Sequence, residues 1–248
     1  MAVRIYVITH KETRRVTPSP TYKRLFVGAA LHEPPSRGYL RDNEGGDGIS
    51  AKNQTFCELT GLYWIWKHSR AKFAGLVHYR RYLFGEACPE RRHSKLPAAP
   101  FLLEAGEVKR ILMDEKKDII LPEQYLLNEY TVYTHYETFH HIGDLMCCRQ
   151  IISEHCPEYL PAFDEVMEWK KIYHANMMVT SKERFDDYCA WLFDILFEAE
   201  RRIDISEYDD YQKRIFGFLS ERLLNVWVRH HGLKVQTRPV YDPAEFLV

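Results

Sequence analysis

Apolar, partly β-branched runs at Arg4–Thr9, Leu25–Ala30, Phe73–Tyr79, Asp118–Pro122, Ala175–Thr180 and Leu233–Val240 are separated along the chain by stretches of helical periodicity. A helix opening at Ser50 would bury Phe56, Leu59, Leu62, Tyr63 and Trp66, which recur at three and four residues. Further helices are expected over Tyr136–Glu154, with Pro157 and Pro161 breaking the pattern after it, over Arg184–Arg202 and from about Gln212 to His230. Strands alternating with helices predict an α/β fold: a mostly parallel central sheet flanked by helices. No internal repeat or domain boundary interrupts the chain, so residues 1–248 are expected to form a single domain.

Composition narrows the function. A net charge of −1 argues against a dedicated nucleic-acid binder. No apolar run reaches transmembrane length, and the N-terminus turns polar too quickly for a signal peptide. The six cysteines form no CxxC pair and no regular framework, which fits a reducing, cytoplasmic setting.

The segment Gly75-Leu76-Val77-His78-Tyr79-Arg80-Arg81-Tyr82 carries a buried strand straight into a basic, aromatic loop. At the carboxyl end of such a strand the loop faces the ligand crevice, and two guanidinium forks there suit phosphate oxygens. A solvated arginine pair is the alternative. Gly46-Asp47-Gly48-Ile49-Ser50-Ala51-Lys52-Asn53 leads into a helix N-terminus, where backbone N–H groups favour an anion. It reads either as a ligand loop, with Lys52 and Asn53 as donors, or as a cap built on Asp47. Asn176, at the mouth of an apolar strand, must bond either the backbone or a ligand hydroxyl.

His135, His140, His141, Asp144, Cys147 and Cys148 lack the paired spacing of a zinc site. On a continuous helix His140 and Asp144 would share a face, which gives them an acid/base or substrate-contact reading. Asp209 and Asp210 read as a helix-start cap. Glu221 and Arg222 stand among Phe216, Phe218, Leu219 and Leu223, so Glu221 is either a partly desolvated general base or half of an internal ion pair. There is no Walker loop and no GxGxxG after the first strand.

Taken in order, Val7–Lys11, Gly46–Asn53, Glu58–Lys67, Gly75–Tyr82, Asn176–Val179 and Gly217–Leu223 resemble one family, DUF4422, bacterial proteins tied to capsule, O-antigen and other exopolysaccharide synthesis. The resemblance runs from about Ile5 to Val240 and implies a GT-A-like glycosyltransferase fold. It further implies a galactofuranosyltransferase-like activity moving a sugar from a UDP-sugar to a glycan or lipid-linked oligosaccharide acceptor. By this analogy Thr9, His10 and Lys11 would border the uridine, and Asp47, Lys52 and Asn53 would approach the nucleotide or ribose. Many GT-A enzymes hold Mg2+ or Mn2+ on an Asp-x-Asp motif where this chain has His78-Tyr79-Arg80-Arg81. With no such motif there, Arg80 and Arg81 would neutralise the diphosphate instead. The reaction expected is an inverting displacement; by residue type and position Glu221 is its base, Asp144 the next candidate with His140 as its partner, and Asn176 holds a donor hydroxyl.

Two other functions compete: a non-catalytic nucleotide-sugar or glycan-binding subunit, and a sugar-phosphate or nucleotidyl transferase using the same arginines. Lipid-linked acceptors would place the protein at the inner face of the cell membrane. The loop Gly85–Pro100 is expected at the surface, and its stretch Glu90–Lys95 is a candidate for peripheral contact with anionic lipid.

Overall fold

In the computed structural model the structure describes residues 1–12, 19–34, 36–86 and 101–241. The surface loop expected over Gly85–Pro100 therefore falls largely outside the described residues, and its stretch Glu90–Lys95 entirely so. The sheet is built from β1 (Val3–Thr9), β2 (Tyr22–Phe26), β3 (Leu40–Arg41), β4 (Phe73–His78), β6 (Ile119–Pro122), β9 (Met178–Ser181) and β10 (Val235–Arg238), in the order β10-β6-β9-β4-β1-β2-β3. Its pairs are parallel except where β9 runs against both β4 and β6. The mostly parallel α/β sheet expected from the sequence is present. Short ribbons pair β5 (Tyr82–Leu83) with β11 (Val240–Tyr241) and β7 (Tyr125–Leu126) with β8 (Lys171–Ile172).

Both faces of the sheet are covered, which explains why β1 is apolar at nearly every position. Val3, Ile5 and Val7 join one core with Val77, Leu103 and Val108, the last from α3 (Ala105–Lys109). Tyr6 and Ile8 point the other way, as the two-residue repeat of a strand requires. They meet the larger core of α2 (Leu59–His68), α4 (Val132–Phe139), α5 (Ile142–His155), α6 (Leu160–Met167), α7 (Lys182–Arg202) and α8 (Ile215–His230). Among the described residues no helix is long and apolar enough to cross a membrane.

Several expected elements are divided. The helix anticipated from Ser50 starts as a short turn, then α1 (Asn53–Phe56), and breaks at Cys57, whose φ is 49°. Ser50 is no cap: its hydroxyl donates to Asp42 at 2.5 Å and accepts from the Ala30 N–H at 3.0 Å. The helix expected over Tyr136–Glu154 is two helices, because His140 and His141 are extended between α4 and α5. Pro161 does not break a helix but opens α6, where its missing N–H costs nothing. The run Ala175–Thr180 enters its strand late, since Ala175 and Asn176 adopt φ of 63° and 51°.

Candidate active site

Register decides what meets at one edge of the sheet. Ile8 pairs with His78 and Leu76 with Met178, so β1 and β4 end where the antiparallel β9 begins. Thr9 closes the first of these ends: its hydroxyl donates to the Lys11 carbonyl at 2.5 Å and accepts from the Lys11 N–H at 3.1 Å. After β4, His78 and Arg81 exchange backbone hydrogen bonds of 3.1 Å, a tight turn with Tyr79 and Arg80 at its tip. The His78 Nε2–H donates to the Ala175 carbonyl at 2.6 Å, tying this turn to the approach to β9. His10 meets Tyr79 edge-on at 5.4 Å, and the Lys11 ammonium lies 4.9 Å from the same ring. Burial, then the charges of Lys11, Arg80 and Arg214, lower the His10 pKa, which keeps the ring neutral near pH 7.

The opposite wall comes from the α1–α2 kink and from α8. Asn176 is fully buried and its amide donates to Glu58 Oε1 at 2.7 Å and to the Ser220 hydroxyl at 2.8 Å. Its own Oδ1 has no partner among the described residues. Arg214 reaches the Cys57 sulfur at 3.5 Å, and burial followed by the Glu58 charge pushes that thiol up to about 11. Glu221 accepts from the Ala175 N–H at 2.8 Å through Oε1 and from Arg222 at 3.2 Å through Oε2. Arg222 is buried, bonds the Phe218 carbonyl and His135 Nδ1, and lies over the Tyr136 ring.

These walls enclose a cavity of about 710 Å³. Arg80, Arg81, Lys213, Arg214, His10 and His78 line it, with Asn53 and Gln54 at one side and Glu58, Asp210 and Glu221 as its acids. A second cavity of about 330 Å³ adjoins it, and Arg81 and Glu221 line both. Four cations reaching it from both walls, Arg80, Arg81, Lys213 and Arg214, suit a polyanion such as a diphosphate. Among the described residues no three His, Cys, Asp or Glu side chains gather to hold a metal ion.

The family described as a domain of unknown function, DUF4422, matches residues 4–232. The chain belongs to the DUF4422 family. Comparison with curated protein sequences gives no match. Among solved structures, the apo form of WbbM, a bifunctional glycosyltransferase, is similar over 97% of this chain, with 31% identity and a TM-score of 0.87. The chain spans less than half of that protein, 45% of its length.

The DUF4422 chain brings together His10, Asn53, His78, Tyr79, Arg80, Arg81 and Glu221 around the larger cavity, and Arg222 around the smaller. Other candidates lie elsewhere. Thr9 is spent on its turn and Lys11 on the Tyr79 ring, and neither lines the cavity. Asp47 pairs with His68 at 2.8 Å, and Lys52 with Glu200 at 2.5 Å on the outer side of α7. Asn176 serves Glu58 rather than the cavity, since its amide donors are used inside the protein. Asp144 is buried against the Tyr208 hydroxyl at 2.9 Å, and burial raises its pKa. His140 is stacked on Phe218 at 4.1 Å and bonded to Gln212, with its pKa lowered to about 4 by burial. The helix break between them ends the shared face on which both candidacies rested.

Glu58, Cys57, Gln54, Lys213 and Arg214 were not singled out from the sequence. Lys213-Arg214 precedes the Gly217–Leu223 block, and two cations there were the available signal. Asp209 does cap the turn that follows, accepting from the Gln212 N–H at 2.7 Å, while Asp210 faces the cavity.

Proposed function

We propose that this DUF4422 chain is a glycosyltransferase that moves a sugar from a UDP-sugar donor to a glycan or lipid-linked acceptor with inversion, and that galactofuranose is the donor sugar to test first. One observation carries the reading: a cavity at the carboxyl ends of β1 and β4 holds Arg80 and Arg81 together with the Glu221 carboxylate. The likeness to WbbM supports it. In this reading the arginines bind the diphosphate and stabilise the charge that gathers on it as the bond breaks. The acceptor oxygen attacks C1, the C1–O bond to the diphosphate breaks, and its electron pair leaves with UDP. The acceptor proton passes to Glu221. That carboxylate is held by one bond to each oxygen, which fixes its orientation and leaves lone pairs to accept the proton.

The test incubates the protein with UDP-sugars and acceptor glycans and reads UDP release and product. Glu221→Gln should lower transfer by about 10²–10⁴-fold, the usual contribution of a general base, while UDP still binds. Arg80→Ala and Arg81→Ala should each weaken UDP by roughly ten- to a hundredfold, the loss of one charge-assisted contact. Full turnover in Glu221→Gln removes that residue from the chemistry. A wild-type protein that is stabilised by UDP-sugars yet releases no UDP with any acceptor is a binding subunit instead.

A further inference from the structure

The smaller cavity lies beside the proposed donor site and is itself built as a site. Arg222 is 3% exposed, lines this cavity, and keeps a buried Nε–H without a partner among the described residues. A buried donor left unpaired is costly, and a ligand oxygen would satisfy it. At the mouth Tyr125 is 53% exposed and lies 5.6 Å from the His174 ring at a tilt of 56°, an aromatic platform on the short β7 strand. His135, which bonds Arg222, lines the same space. Burial and the Arg222 charge lower the His135 pKa, so its ring is neutral near pH 7.

We infer that this cavity is the acceptor subsite and takes the terminal, uncharged sugar ring of a glycan, an assignment that rests on the glycosyltransferase reading. A sugar ring offers an apolar face to stack on Tyr125 and an edge of hydroxyls for Arg222 and His135. The volume, about 330 Å³, sits at the low end of ligand pockets, which run from about 300 to 1,000 Å³. It therefore suits a chain end rather than an internal stretch of polymer. A lipid tail is disfavoured, because it would desolvate Arg81, Glu221 and Arg222 without bonding them. An acidic sugar is disfavoured because Arg222 is already paired with Glu221, and a second carboxylate would stand against it. The two cavities meet at Glu221 and Arg81, so a hydroxyl of a sugar in the smaller one is delivered to the proposed base beside the donor.

The experiment uses the full chain and a panel of neutral methyl hexopyranosides, with methyl uronides as charged controls, read by saturation-transfer NMR. Calorimetry measures UDP binding separately. At least one neutral glycoside should bind the wild type, and Tyr125→Ala and His174→Ala should weaken it roughly three- to tenfold. Tyr125 is exposed, so its replacement does not threaten folding, and UDP affinity serves as the check. The inference is overturned if no neutral glycoside binds, if both variants bind it as the wild type does, or if a uronide binds equally well. Glycoside binding without any UDP binding would instead overturn the donor reading and leave the saccharide site standing.

Discussion

Asn176 stands in a left-handed backbone conformation, fully buried, with its amide donating to Glu58 and Ser220 and its carbonyl oxygen without a partner among the described residues. The sequence offered two partners for it, backbone or ligand hydroxyl; the structure supplies the backbone, the Gly217 carbonyl at 3.4 Å, and adds a carboxylate on the cavity wall. Residue type alone could not tell these apart, because Glu58 is more than a hundred positions distant. Glu221 and the arginines were easier to place, since a strand end and an apolar helix each fix where a charged side chain emerges. Asp47 and Lys52 were not, since each found a surface partner that spacing does not encode. Asn176→Ala removes a donor from Glu58 and leaves the Ser220 hydroxyl short of a partner. Chemical denaturation should show a loss of about 1–3 kcal/mol, the range for stranded buried polar groups. If stability is unchanged, the Asn176–Glu58 bond does not hold the cavity wall.

Among the elements, β4 is the strand on which the site depends, and its neighbours press closely on it. Parallel β1 lies on one side and antiparallel β9 on the other. The direction of β9 was not legible: an apolar run reads the same whichever way it is threaded. Nor were the breaks at Cys57 and at His140–His141, where helical periodicity continues across residues that leave the helix. The strands themselves were legible because burial on both faces demands unbroken apolar runs. Gly75 sits mid-strand, and a Cβ there would lie 2.3 Å from the Met178 carbonyl oxygen and 2.8 Å from the Val179 Cα. Those are backbone atoms of the paired strand, which cannot swing aside. Gly75→Ala should therefore cost at least the ~1–3 kcal/mol typical of overpacking. Calorimetry should show a lower melting temperature and, because His78 follows on the same strand, weaker UDP binding. An alanine variant as stable as the wild type would mean that β4 and β9 can separate slightly without loss.

Across the whole molecule, histidines link the fold to pH in one direction. Burial is the first cause of the lowered pKa of His10, His135, His140 and His231, and for His140 the value falls to about 4. In the unfolded chain each returns to about 6.5. Between those values the unfolded state binds protons that the folded state refuses, so stability falls as pH drops. It is fully present above about 6.5 and is lost progressively toward the folded-state values. Asp144 acts in the opposite sense: burial raises its pKa above the ordinary value near 3.9, so the folded state keeps a proton that the unfolded chain has lost, and one such carboxyl partly offsets four histidines. The paired surface carboxylates Glu86, Glu154, Glu165 and Glu198, whose arginine partners lower their pKa, lose their contribution only below about 4.5. The melting temperature should thus be flat from about pH 8 to 7 and decline between roughly 6.5 and 4.5. His140→Asn should lower it at every pH by removing the Phe218 stack, yet make the decline shallower, since asparagine takes up no proton. A slope as steep as that of the wild type would shift the linkage from His140 to the other three rings.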